Sequence, residues 1–377
     1  MTTPPTLICG AMPLGYGPAA KLLTLARILR GRGLRLVLIG HGTSLELATR
    51  SEQLFDDVVH AQPGDGTREA AVRSADAVLS VMDRDLAQAA AAADVPLYVV
   101  DSLLWMRDAI LPAFRGARRY WAQNFLGLHE VQGDYEPAPA IVGPIVSPRP
   151  PRPGRVHGEL LVNLGGCEAL DGADANFGAY ADCVVGGLLE SSLARTFAGR
   201  TTVMAGARRV EALAATYGAC GVAFSSLPHH AAVERLAGAA LVFTAPGVTT
   251  LLESFQCGVP TYLLPPQSYS QWCTLRMLRA AGLAPHALHW EDLAGSPRLA
   301  DRMPESERNP LVRAAIARFT ADGTAQSRLA GCLDAAGRSD HAAVAAAQSR
   351  FFASLGPNGT LTIAEEIVDH MMSAARP

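Results

Sequence analysis

Thr244-Ala245-Pro246-Gly247-Val248-Thr249-Thr250-Leu251-Leu252-Glu253 is followed by Cys257-Gly258-Val259-Pro260, and then by Pro265-Pro266-Gln267-Ser268-Tyr269-Ser270-Gln271. With the apolar run 241–244 before it, this stretch reads as strand, tight turn, helix, strand, polar loop, helix. That order is a piece of parallel α/β sheet, in which ligands bind beyond the carboxyl ends of the strands. Gly247 lets the turn approach a ligand, and Val248, Thr249 and Thr250 fall in the first helical turn, where N–H groups and hydroxyls can meet a diphosphate. Glu253 lies three or four residues deeper on the face of Thr249 and Thr250. A carboxylate there can accept two hydroxyl donors at once, as a ribose diol offers. Gln271 has donors and an acceptor suited to sugar hydroxyls.

Outward from this stretch the same rhythm runs through the chain. Residues 6–9, 34–39, 58–59, 77–81 and 97–100 are short apolar runs, with helical spacing over 21–29 and 84–93 between them. Continuous apolar strands flanked by helices predict a parallel sheet covered on both faces. Seven prolines between Pro137 and Pro153 read as a linker. The rhythm restarts over 159–164, 200–204, 222–224, 241–244 and 261–264, and an Ala-rich tail from Pro310 onward is helical in pattern, with a turn near 356–359. The fold class expected is α/β, with two Rossmann-like parallel-sheet domains: 1–145, 146–355, and a last helix over 356–377 that returns to the first domain. Gly15-Tyr16-Gly17-Pro18-Ala19-Ala20 fits G-x-G-x-x-[GA], but the second strand ends in Ile39-Gly40-His41-Gly42 without the acidic residue that would hold a ribose, and no Gly-Lys-Ser/Thr follows as in a P-loop.

The stretch 241–275 resembles the nucleotide-diphosphosugar signature of GT-B glycosyltransferases, roughly G-G-x-G-T-x-x-E, then G-V-P, then P-x-x-x-D-Q. Gly247, Val248 and Thr249 stand in the turn, Glu253 stands at the ribose-binding glutamate, 257–260 match well, and Ser270-Gln271 stand for Asp-Gln. The resemblance implies that the loop with Gly15 and Gly17 and the turn at Gly165 and Gly166 flank the donor diphosphate, and that a nucleobase-contacting loop lies at His229 and His230. A surface pair at a helix start is the other reading of those histidines. It also implies a second domain that holds the nucleotide, a first domain that holds the acceptor, and chemistry that needs no metal and no cofactor. The chain departs from the pattern at Thr244, where a histidine is usual, at Pro246 in place of glycine, and at Ser270 in place of aspartate.

A transferase usually needs a general base. Three residues are candidates: Asp101 after the strand 97–100, His41 in its Gly-His-Gly turn, and Tyr16 in the first glycine loop. Asp101 before Ser102 fits a cap equally well. Trp105, Tyr120, Trp121 and Phe125 are candidates for a flat acceptor wall, with core as the alternative, and Arg107, Arg115, Arg118 and Arg119 form a local basic cluster. The function expected is transfer of a sugar, a uronic acid among the options, from a UDP-sugar to a small-molecule acceptor, such as a nucleobase or another secondary-metabolite precursor in bacterial antibiotic biosynthesis. A UDP-sugar 2-epimerase and a non-catalytic nucleotide-sugar-binding helper are the alternatives.

Composition sets the outer limits. The chain has 377 residues, 49 % hydrophobic and 18 % charged, which is ample for two cores. A net charge of −3 argues against a general nucleic-acid binder. No apolar run approaches the roughly 20 residues that span a bilayer, and residues 1–5 lack the charged start of a secretory signal. Seven scattered cysteines read as buried small residues in a reducing compartment, so a cytoplasmic location is expected. A homodimer is left open. Lys21 is the only lysine, so a Schiff-base mechanism would have that one amine to use.

Overall fold

Short β-branched and leucine-rich runs, each closed by glycine or a polar turn, become the strands of two parallel sheets in the computed structural model. It describes residues 4–374 except 52, 108, 127, 129–137, 151–157, 167–173, 293–294, 297–298 and 301–302. The chain divides into two units, residues 1–148 with 354–377, and residues 149–353.

In the first unit the order is β1 (Thr6–Ala11), α1 (Tyr16–Leu29), β2 (Arg35–Gly40), α2 (Gly42–Thr49), β3 (Asp57–His60), α3 (Thr67–Val72), β4 (Ala77–Val81), α4 (Arg84–Ala92), β5 (Leu97–Asp101), β6 (Arg119–Gln123) and β7 (Ala140–Val142). The described strands form one sheet in the order β3-β2-β1-β4-β5-β6-β7, parallel throughout. The strand order reverses between β1 and β4, where Ala11 lies opposite Val81. Strand β7 lies inside the proline-rich stretch expected to be a linker, so residues 140–142 belong to the sheet; Pro137, Pro151 and Pro153 lie outside the described residues.

The second unit runs β8 (Leu160–Asn163), α5 (Asp174–Glu190), α6 (Ser192–Thr196), β9 (Thr201–Met204), α7 (Ala207–Tyr217), β10 (Ala223–Ser225), α8 (His229–Gly238), β11 (Leu241–Thr244), α9 (Val248–Cys257), β12 (Thr261–Leu263), α10 (Tyr269–Ala280), α11 (Glu305–Ala321), α12 (Ala325–Gly337) and α13 (His341–Ser354). Its sheet, β10-β9-β8-β11-β12, is also parallel and reverses between β8 and β11, where Asn163 lies opposite Thr244. The Gly-Val-Pro signature has a local cause. Gly258 ends α9 at φ 71°, a left-handed conformation that favours glycine, and the Val259 N–H returns to the Ser254 carbonyl at 3.2 Å. Pro260 cannot continue a helix, and its carbonyl accepts the Val242 N–H at 3.1 Å, which starts β12 against β11. Beside β12, the buried Gln348 amide of α13 accepts the Thr261 N–H at 3.1 Å and donates to the Thr261 and Leu283 carbonyls at 2.6 and 3.1 Å, so one side chain satisfies backbone that no further described strand covers.

The last helix, α14 (Gly359–Ala374), packs on α1. Ile363, Ala364, Ile367 and Met371 repeat at helical spacing and are buried in the core built by β1, α1 and β4. Its entrance needs a bare backbone at Gly143, because a Cβ there would collide with the Pro357 carbonyl. Asn358 Nδ2 and Thr360 Oγ1 both donate to the Val146 carbonyl at 3.0 Å, and Arg119 Nε donates to Glu366 at 2.8 Å. The cysteines meet the expectation of burial only in part. Cys9 and Cys257 are buried, and burial pushes the Cys257 thiol up to about 11, but Cys220 is exposed. No described helix is long and apolar enough to cross a membrane.

Candidate functional site

The decisive stretch sits where the second sheet reverses, at the carboxyl ends of β8 and β11. Gly247 caps α9 in an extended conformation, and no side chain bonds across the cap. The first N–H that the helix itself engages is that of Leu251, which bonds the Gly247 carbonyl at 3.1 Å. The N–H groups at 248–250 therefore have no acceptor within the helix, which leaves the positive end of its dipole at the sheet edge. Asn163, at the end of β8, joins the two loops: its Oδ1 accepts the Gly165 N–H at 3.0 Å and its Nδ2 donates to Thr250 Oγ1 at 3.4 Å. Gly165 has φ 65° and open space where a side chain would stand, while Gly166 beside it is buried.

The polar loop after β12 closes the same edge. Gln267 Nε2 donates to the Leu164 carbonyl at 3.0 Å, and the Gln267 N–H donates to Gln271 Oε1 at 2.8 Å. With its oxygen taken, Gln271 turns Nε2 toward the glycine turn, 3.9 Å from where a Cβ on Gly247 would lie. Ser268 caps α10 and shares a 3.0 Å hydrogen bond with Ser270, whose hydroxyl stands where the resemblance would place a carboxylate. Gly165, Gly247, Thr250, Ser270 and Gln271 thus share one sheet edge, with Val248 and Thr249 buried in the first turn of α9. Sequence reasoning missed Gln267. Its signal was weak, since one polar residue in a Pro-Pro-Gln-Ser loop does not show that it reaches back to β8.

Glu253 is only 3 % exposed and lies 2.6 Å from His229 Nε2, at the first residue of α8. His229 is itself buried, so it is not one of a surface pair; His230 is half-buried.

The three candidate bases sit at the carboxyl edge of the first sheet or in its first helical turn, each in a different state. Asp101 is 0 % exposed and accepts from three donors: the Leu103 N–H at 2.7 Å, the Tyr120 hydroxyl at 2.6 Å, and the Arg107 guanidinium. A carboxylate so engaged holds the turn after β5. Tyr16 opens α1 after Gly15, at φ 68°, with Gly17 next, and its hydroxyl donates to Glu46 on α2 at 3.3 Å. Thr43 Oγ1 ties this glycine loop to α2 through the Pro13 and Gly15 carbonyls at 2.8 and 3.2 Å. His41 precedes α2, and its Nδ1 is buried with no hydrogen-bond partner among the described residues.

Asp83 was not singled out from the sequence. It caps α4 by accepting the Leu86 N–H at 3.0 Å, and burial raises its carboxyl above the usual range, against smaller opposing effects that include the charges of Arg68 and His41. Trp105, Tyr120, Trp121 and Phe125 are all buried, which makes them core and not a flat wall. Of the basic cluster, Arg107 is bound to Asp101 and Arg119 to Glu366. Lys21 is buried, donating to Gln123 Oε1 at 2.9 Å and the Ile145 carbonyl at 3.3 Å.

No family model matches the chain, and no curated protein does. Solved structures do. A UDP-glucosyltransferase from Polygonum tinctorium capable of glucosylating indoxyl is similar over 99 % of this chain and 100 % of its own, with TM-score 0.54 and 12 % identity. Arabidopsis thaliana UGT89C1 is similar over 97 % and 99 %, with TM-score 0.57 and 13 % identity. Acinetobacter baumannii MurG is similar over 98 % and 100 %, with TM-score 0.50 and 14 % identity. The fold is GT-B. At these identities the likeness speaks for the architecture, and the chemistry rests on the residues at the strand ends.

Proposed function

We propose that this GT-B chain transfers a sugar from a UDP-sugar to a small-molecule acceptor. The observation that carries this reading is the α9 N-terminus at the β8/β11 reversal, with Gly165 and Gln271 around it and Glu253 six residues into the helix. A diphosphate leaving group develops negative charge as the glycosidic bond breaks, and N–H groups at a helix N-terminus, with the Thr250 hydroxyl, offer matching donors. This is a route to leaving-group stabilisation that calls for no metal and no cofactor. Two of the similar structures support the nucleotide: Arabidopsis UGT89C1 is complexed with UDP, and Phytolacca americana UGT2 with UDP-2fluoro-glucose and pterostilbene.

The sugar pocket favours a donor that carries an acceptor group. Gln271 points N–H outward, and Ser270 places a hydroxyl where a carboxylate would repel an anion, so a uronic acid suits this edge. The first unit we assign to the acceptor, with His41 as the group that takes its proton, because Asp101 and Tyr16 are engaged elsewhere. A ring nitrogen of a nucleobase or a similar metabolite would ask less of that base than an alcohol.

Thermal melts with UDP, dTDP and NAD test the donor site. UDP is expected to raise the melting temperature, and Glu253→Ala to remove most of that rise. Stabilisation by NAD alone would overturn the proposal. Slow release of free uronate from UDP-glucuronate, followed by mass spectrometry, is expected for a transferase without its acceptor, whereas an epimerised UDP-sugar would transfer the reading to the 2-epimerase.

A further inference from the structure

The Glu253 carboxylate is held on one side only. Its Oε1 meets His229 Nε2 at 2.6 Å, and among the described residues none bonds its second oxygen, Oε2. Both side chains are nearly buried, His229 at 8 % and Glu253 at 3 %, and their helices α8 and α9 pack together. His229 is fixed by its place in the fold: it is the first residue of α8, just after Pro228, where its backbone is helical and its side chain is enclosed. A buried carboxylate with one rigid neighbour has few rotamers left, and the oxygen without a partner is the one presented to a ligand.

We propose that His229 is a positioning residue whose hydrogen bond aims Glu253 Oε2 at the nucleotide ribose, and so makes donor binding depend on the ribose hydroxyls. The inference rests on the reading of Glu253 as the ribose ligand and deepens it. By donating Nε2–H to Oε1, the imidazole removes one oxygen from competition and orients the other. A vicinal diol then finds an acceptor already in place, and a 2′-deoxyribose leaves that acceptor short of a donor in a site with little water. Loss of His229 leaves Glu253 free to turn, so the affinity that the hydroxyls contribute is lost while the diphosphate contacts at residues 247–250 stay.

Titration calorimetry with UDP and 2′-deoxy-UDP on the full chain tests this. The wild type is expected to prefer UDP by about tenfold or more. In His229→Leu the preference collapses to about twofold or less, with 2′-deoxy-UDP bound nearly as in the wild type. His229→Gln, which keeps an N–H donor of similar reach, restores most of the preference. His229→Asn, too short to reach, behaves as the leucine variant and serves if that variant does not fold. An unchanged preference in both His229→Leu and His229→Asn, or in the asparagine variant when it alone folds, overturns the positioning role. An unchanged preference in Glu253→Gln, or none in the wild type, overturns the ribose reading itself.

Discussion

The two sheets reverse at equivalent places, β1/β4 and β8/β11, and each reversal is followed by a glycine turn and a helix. What they present there differs. Helix α9 opens with Val248, Thr249 and Thr250, all N–H donors, two of them carrying hydroxyls. Helix α1 opens with Tyr16, Gly17 and Pro18, so its third position has no N–H to give. The first edge also gathers carboxylates, Asp83 after β4 and Asp101 at the end of β5, whereas among the described residues the second edge carries Glu253, six positions inside the helix. Topology offers a place for a ligand at both reversals, and on the proposed reading the residues of one helical turn set which sign of charge is welcome there.

The sharpest way to break this comparison is to put a carboxylate at the second edge. Gly247 has an ordinary φ of −78°, and no atom comes nearer than 3.9 Å to the place a Cβ would occupy, so Gly247→Asp should fold as before. Its affinity for UDP, measured by calorimetry, is expected to fall by about a hundredfold or more through like-charge contact with the diphosphate. Retained binding would remove the diphosphate from α9.

At the first edge, His41→Gln should lower kcat by about two to four orders of magnitude while UDP affinity stays unchanged. An unaltered kcat would remove His41 as the base. Asp101 offers the contrast. Replacing it with Ala removes the buried carboxylate that the Leu103 N–H, Arg107 and Tyr120 share and should cost about 3 kcal/mol in a denaturant titration. The folded fraction should retain activity; a dead but fully stable variant would restore Asp101 as a base.

The smallest effect concerns Asp83. Burial holds its carboxyl above the ordinary 3.8. The folded chain therefore keeps this proton at pH values where the unfolded chain has released it, and stability is lost as pH rises from the ordinary value through the raised one. Asp83→Asn keeps a capping side chain and removes the titration. Its melting temperature should gain on that of the wild type across this window and run parallel above it; a constant offset at every pH would refute the assignment.

How far the residues spoke for themselves follows from the range of the forces involved. The turn at Gly247, the cap at Gly258 and the strand at 261–263 depend on neighbours within a few positions, and they were legible. Strands β6 and β7 were not. Arg119–Gln123 reads as a basic and aromatic cluster, and only its placement between β5 and β7 buries it as a strand. Ala140–Val142 is three residues among prolines. The pairing of His229 with Glu253 spans 24 positions and joins two helices, so no local pattern announces it. The state of Asp101 likewise depends on a tyrosine from the adjacent strand.

The close approach at Gly143 also bears on how the polypeptide is made. Because residues 363–371 complete the hydrophobic interior that β1, α1 and β4 begin, the outer unit is interrupted in sequence by the inner one. A ribosome releases the whole of 149–353 before the final helix emerges, so the inner unit can finish folding while its host still exposes leucines. The part of the chain synthesised first is thus the last to close, and a stop codon ahead of Gly359 would leave the core between β1, α1 and β4 incompletely filled.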